Sequence, residues 1–117
     1  MLSYKAPLRD MRFVREELLD FPGLFESLPG CEEFTPDLIE AILGEAAKFC
    51  ENVLAPLYRS GDEEGCTWSA EGVRTPAGFR EAYQQYIDGG WAALSAPSEY
   101  GGQGLPGSMG LLVEDMF

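Results

Sequence analysis

Apolar residues recur along much of this chain at intervals of three and four, the spacing that lines one side of a helix. The pattern is strongest from Leu38 to Leu57. There Leu38, Ile42 and Ala46 run up the centre, flanked by Ile39 and Leu43, and Phe49, Cys50, Val53, Leu54 and Leu57 prolong the stripe. Thr35-Pro36-Asp37 supplies a start, with a hydroxyl cap, a proline at the first helical position and an acid in the first turn. Pro56 lacks a donor and crowds the preceding turn, so it bends this helix, which persists toward Arg59. Gly61-Asp62-Glu63-Glu64-Gly65 then reads as a polar loop.

Weaker periodicity predicts the other elements. Leu8 to Asp20 is a helix with Leu8, Met11, Val14 (or Phe13) and Leu18 on one face. Pro22-Gly23 ends it, and Leu24 to Leu28 forms a turn or two before Pro29-Gly30. Cys66 to Thr75 reads as a small extended or hairpin-like finger. Thr75-Pro76 starts a further helix by the same capping argument, with Phe79, Ala82, Tyr83, Tyr86 and Ile87 as its apolar face and Gly89-Gly90 as its stop. Trp91 to Leu94 is a short helical turn. A glycine-rich connection follows, and Ser108 opens a last helix, Met109 to Phe117, that carries no stop signal and reads as cut in mid-helix. The expected fold class is all-α, four to five helices in an orthogonal or up-down arrangement, with one short non-helical finger.

Length and composition narrow the function classes. The chain has 117 residues, 45% of them apolar, which is enough for one core and short for a cofactor enzyme. Twenty acidic residues stand against eight basic ones, a net charge of −12, which argues against nucleic acid and against an anionic membrane surface. The simplest reading of the acidity is a solvated exterior. Three cysteines (31, 50 and 66), no Cys-x-x-Cys and no histidine remove the usual zinc sites and every Ser-His or Cys-His nucleophile pair. With no signal-peptide core at the N-terminus and no run of about 20 apolar residues, a cytoplasmic protein with reduced thiols is expected.

Candidate chemistry is sparse. Gly102-Gln-Gly104-Leu-Pro-Gly107 matches the G-x-G-x-x-G dinucleotide pattern, but a proline-broken loop precedes it where a strand should be, and Pro106 sits inside it. A structural turn is the preferred reading. Asp62-Glu63-Glu64 lacks the spaced oxygen ligands of a calcium loop, and Glu32-Glu33 reads as solvated. Glu114 and Asp115, adjacent on a helix, point about 100° apart and do not converge as an acid–base pair. Cys66 is read as inert beside its acidic neighbours. Tyr83, Tyr86, Trp91 and Tyr100 fit either a ligand pocket or, more simply, the core. No residue is assigned a catalytic, cofactor-binding or metal-ligating role.

The stretch Gly90-Trp-x-x-Leu-x-x-Pro-x-Glu-Tyr-Gly-Gly-x-Gly104 resembles the N-terminal helical domain of the acyl-CoA dehydrogenase family. The resemblance covers 35–117, through the long helix, the Asp62–Trp68 stretch, Thr75-Pro76, Gly90-Trp91 and Glu99-Tyr-Gly-Gly-Gln-Gly-Leu-Pro106 in that order. Tyr4-Lys-Ala-Pro-Leu-Arg-Asp-Met-Arg-Phe13 with Leu28-Pro-Gly30 resembles the extra N-terminal segment of a bacterial subgroup that includes enzymes acting on 3-(methylthio)propanoyl-CoA. The resemblance implies two parts: an extension over 1–34 with an amphipathic helix, and the family's helical domain over 35–117, truncated in its last helix.

It further implies an FAD-dependent oxidoreductase of fatty acid metabolism that converts an acyl-CoA to a trans-2-enoyl-CoA and passes electrons to an acceptor. By the same resemblance, the catalytic glutamate and most flavin contacts lie outside these residues. The chain alone is then expected to be inactive and not to bind FAD. Its last helix would help wall the acyl pocket, with Leu112 and Met116 as unassigned contributors. A homo-oligomer is expected. The alternative is a stand-alone acidic helical interaction module without enzymatic activity.

Overall fold

A computed structural model describes residues 3–117. Thr35 caps the first long helix as its sequence requires, its Oγ1 accepting the Leu38 N–H at 3.3 Å, and Pro36 opens α3, Pro36–Phe49. The buried side of α3 carries Ile39, Leu43, Ala46 and Ala47, whereas Leu38 is exposed and Ile42 half-buried. The expected centre of the stripe is therefore displaced by one position. A stripe this broad has no unique centre until a partner selects one. The partner is the C-terminal helix α6, Gly107–Met116, whose Met109, Val113 and Met116 supply the facing side chains.

The chain does not break at Pro56. Cys50–Leu54 is a π-helical turn, with the Ala55 N–H donating to the Cys50 carbonyl, and α4, Ala55–Glu64, continues from it. The wider turn places the altered ladder directly before the proline that cannot donate. The expected loop over 61–65 is instead the end of α4, closed by Gly65. Gly61 is buried against the Phe79 ring, Arg59 pairs with Glu63 at 2.7 Å, and Glu64 accepts the Ala77 N–H at 3.0 Å. Those contacts hold the polar turn in a helix.

The opening helix is α1, Leu8–Phe13, prolonged by a π-helical turn, Val14–Leu18. Its inner side is Leu8, Met11 and Arg15. Phe13, Val14 and Leu18, expected on that side, are exposed. Arg15 takes the inner position because its guanidinium reaches Glu40 of α3 at 2.8 Å. Asp20, at φ 48°, accepts the Gly23 N–H and caps α2, Phe21–Ser27, whose Phe25 is buried near Phe34.

The finger is a two-stranded antiparallel hairpin, β1 Thr67–Ser69 and β2 Gly72–Arg74, with Trp68 opposite Val73. The helix expected from Thr75-Pro76 begins later, as α5, Phe79–Asp88, with Gly78 and not Thr75 in the capping position. A turn intervenes because Pro76 is buried, its carbonyl accepts the Phe79 N–H, and Ala77 is tied to α4. Gly89 ends α5 as read from sequence, and Trp91–Ala93 is a single 3-10 turn.

With α1, α2, α5 and α6 beside the continuous α3–α4 helix, the regular structure of the described residues is helical apart from the hairpin. Met11 and Phe25 share one core with Ile39, Leu43, Leu94, Leu105 and the α6 residues. The Cα envelope is a slab of 55 × 38 × 17 Å, too thin to enclose every apolar face.

Candidate functional site

The glycine-rich connection shapes the site by placing α6. Residues 98–100 make a 3-10 turn, and the chain then doubles back on residues 93–97. Gly102 N–H donates to Pro97, Gln103 N–H to Ala93, Gly104 N–H to Ala96 and Leu105 N–H to Leu94, all at 2.9–3.0 Å. A β-carbon at Gly102 would lie on the Ala96 carbonyl, and Gly101 adopts φ 83°, so both positions need glycine. Gln103 Nε2 adds a bond to the Gly90 carbonyl at 3.1 Å. These bonds leave none of the four backbone donors for a phosphate. Buried Leu94 and Leu105 then seat α6 on α3.

Where α3 passes into α4, an apolar trough opens along the molecule. It consists of two grooves of about 600 and 450 Å3 that share Leu54, Tyr58 and Phe117. Leu57, Ala82 and Tyr83 continue it on the α5 side, and Tyr4, Cys50 and Met116 on the side of the N-terminal segment. Phe117 is the hub of an aromatic cluster: its ring centroid lies 5.3 Å from Phe49, 5.7 Å from Trp91 and 6.0 Å from Tyr86, the last two edge-on. Edge-to-face geometry of this kind adds about 0.5–1.5 kcal/mol per pair beyond area burial.

Two polar side chains at the trough, Glu51 and Cys50, are already committed. Glu51 accepts Lys5 Nζ at 2.8 Å and the Ala6 N–H at 2.9 Å, which ties the N-terminal segment to the π-helical turn. The Lys5 hydrogen bond, followed by that from Ala6, holds the Glu51 carboxyl below its ordinary range. Burial pushes the Cys50 thiol upward, so it remains the protonated donor that binds the Met116 carbonyl at 2.6 Å. Burial, then the neighbouring Cys50, raises Tyr4 as well. Protonated Cys50 is no nucleophile, and the bonds from Lys5 and Ala6 that favour the ionised Glu51 make it a weak base. The arrangement can receive an apolar chain or an apolar packing face.

Of the aromatic residues picked from sequence, Tyr83, Tyr86 and Trp91 come together here, with Tyr83 and Tyr86 stacked at 6.3 Å. Tyr100 stands apart and is 80% exposed, and Tyr83 is 64% exposed, so neither is core. Met116 is buried beneath the trough and Leu112 is half-buried. Cys66, Asp62, Glu63, Glu64, Glu114 and Asp115 are exposed. Among the described residues no group of three or more His, Cys, Asp or Glu is placed to hold a metal, and no helix is long and apolar enough to cross a membrane. Sequence reasoning missed Tyr4, Tyr58, Glu51 and Phe117. Only Phe117 left a trace, as the next apolar step after Val113 on α6.

No protein-family model matches the chain. It is 40% identical over 109 residues, 93% of its length, to the 3-methylmercaptopropionyl-CoA dehydrogenase of Ruegeria pomeroyi, of which it spans 18%. It is 30% identical over 91 residues, 75% of its length, to the butyryl-CoA dehydrogenase of Syntrophomonas wolfei subsp. wolfei, of which it spans 15%. The chain thus spans less than a fifth of each of these curated relatives.

Proposed function

Since the chain belongs to the acyl-CoA dehydrogenase family and matches only part of its relatives, we propose that it acts as the N-terminal helical domain of an FAD-dependent enzyme. That parent enzyme dehydrogenates an acyl-CoA thioester between its α and β carbons to a trans-2-enoyl-CoA, and delivers the electrons to a separate acceptor. The observation that carries this reading is the 40% identity over nearly the whole chain. The trough and α6 add to it. A seated helix beside an apolar channel of several hundred Å3 is what one wall of an acyl pocket requires.

Flavin contacts belong to other parts of the parent enzyme in this reading. The residues here do not fit the cofactor, because the glycine turn spends its donors on its own carbonyls. The 117-residue chain is therefore inactive alone, and a cytoplasmic homo-oligomer is the expected parent.

The test compares the parent-length protein with and without residues 1–117, following reduction of an artificial electron acceptor on addition of acyl-CoA thioesters. The reading requires acyl-CoA-dependent reduction by the parent-length protein and its loss on deletion. Full activity without residues 1–117 would overturn it. An intact source protein with the mass of this chain, monodisperse and indifferent to flavin and acyl-CoA, would favour a stand-alone interaction module.

A further inference from the structure

Among the described residues the outer side of the opening helix is unpartnered, and it carries an ordered charge pattern. Lys5, Arg9, Arg12 and Arg15 are half of the chain's basic residues, and only Asp10 interrupts them; Glu16, Glu17 and Asp20 follow at once. On its outer side the helix thus carries Arg9 and Arg12, with Asp10 between them, in its first half and Glu16 and Glu17 in its second. Lys5 and Arg15 are bound to Glu51 and Glu40 of the same chain, and Arg12 to Glu16. Arg9 has no ion-pair partner among the described residues, and Glu17 is exposed. Between these two charges lies Phe13, 58% exposed; Leu18, at 66%, and the exposed Leu19 and Leu24 lie beyond Glu17.

We propose that this face docks against the same face of a second copy of the chain, two-fold related and antiparallel. Reversal about Phe13 brings Arg9 of each copy to Glu17 of the other, packs the two Phe13 side chains at the centre and places each Leu18 at the edge, beyond the charge pair. Self-complementarity of this kind is what a two-fold interface demands, since each contact must be made twice with the partners exchanged. It also excludes the parallel arrangement, which would set arginine against arginine. The π-helical turn at Val14–Leu18 and the left-handed Asp20 lie within the same segment. Such local departures from regular helix concentrate where a chain has a task beyond folding. The inference does not rest on the enzymatic reading, since it uses neither the trough nor α6.

The test is sedimentation velocity of the chain across a concentration series. Wild type forms a dimer. Phe13→Asp, Arg9→Glu and Glu17→Arg each weaken it on the order of tenfold or more, as a lost or reversed charge contact does. The Arg9→Glu/Glu17→Arg double variant restores it, because each reversed charge then meets its reversed partner. Circular dichroism checks that each variant keeps its helix content. A wild type that stays monomeric overturns the proposal. So does a dimer indifferent to Phe13→Asp and Arg9→Glu, or a monomer that co-sediments with phosphatidylglycerol vesicles.

Discussion

Burying a guanidinium with one nitrogen unpartnered costs free energy that a single ion pair does not fully return. Arg15 is 2% exposed, its Nη2 bound to Glu40, and its Nε without a partner. Arg15→Ala empties that volume and frees Glu40, and is expected to lower stability by about 2 kcal/mol because Glu40 is itself partly solvated. Arg15→Met, which keeps most of the volume without the charge, is expected to cost clearly less. Urea midpoints of the two variants order them. Glu51 makes a prediction in pH. Its carboxyl is held below the ordinary 4.5 by Lys5 and the Ala6 N–H, so the tie it makes is complete above that value. It is lost as the pH falls through the lower, folded value. Hydrogen exchange at Ala6 should therefore stay slow, after correction for intrinsic rates, from pH 7 to 5 and rise below 4.5. Glu51→Gln should remove that acid step.

Elements were legible where the signal is local. Thr35 capping α3, Gly89 closing α5 and the hairpin around Ser69 to Gly72 all follow from a few neighbouring residues. What was not legible depends on partners far along the chain. The end of α4 is helical because of Phe79 and Ala77, and α1 turns Arg15 inward because Glu40 lies 25 residues away. The trough needed the same distant information, since Tyr4, Tyr58 and Phe117 come from three separate segments. The glycines give a test at this scale. Gly102→Ala forces the connection off the Ala96 carbonyl and is expected to destabilise by about 2–3 kcal/mol, as overpacking against fixed backbone does. Gly44→Ala meets nothing within 4 Å in the interior of α3, and is expected to stabilise by about 0.5–1 kcal/mol. Thermal midpoints moving in opposite directions would establish both.

At the scale of the whole molecule, the slab leaves Tyr58 83% and Tyr83 64% exposed along the trough. An apolar surface this continuous binds apolar dyes. The folded chain is expected to enhance anilinonaphthalene sulfonate fluorescence, and Tyr58→Glu to remove most of that enhancement with no change in urea midpoint. Equal enhancement by the variant would place the dye elsewhere.

The two π-helical turns, Val14–Leu18 and Cys50–Leu54, each lodge about one more residue than an ordinary turn holds. Each is therefore a place where the chain has, in effect, absorbed an insertion without lengthening the helix axis. Shortening 50–54 by one residue would restore a uniform ladder and, because the wide turn had absorbed that residue, leave everything beyond it close to its present orientation. Gly61 would keep its place under Phe79, and the change would fall on the side chains of 50–54 themselves. The wide turn thus buffers chain length: relatives that differ by a single gap there would carry the same helix in the same phase, with the difference confined to the part of the groove that 50–54 lines.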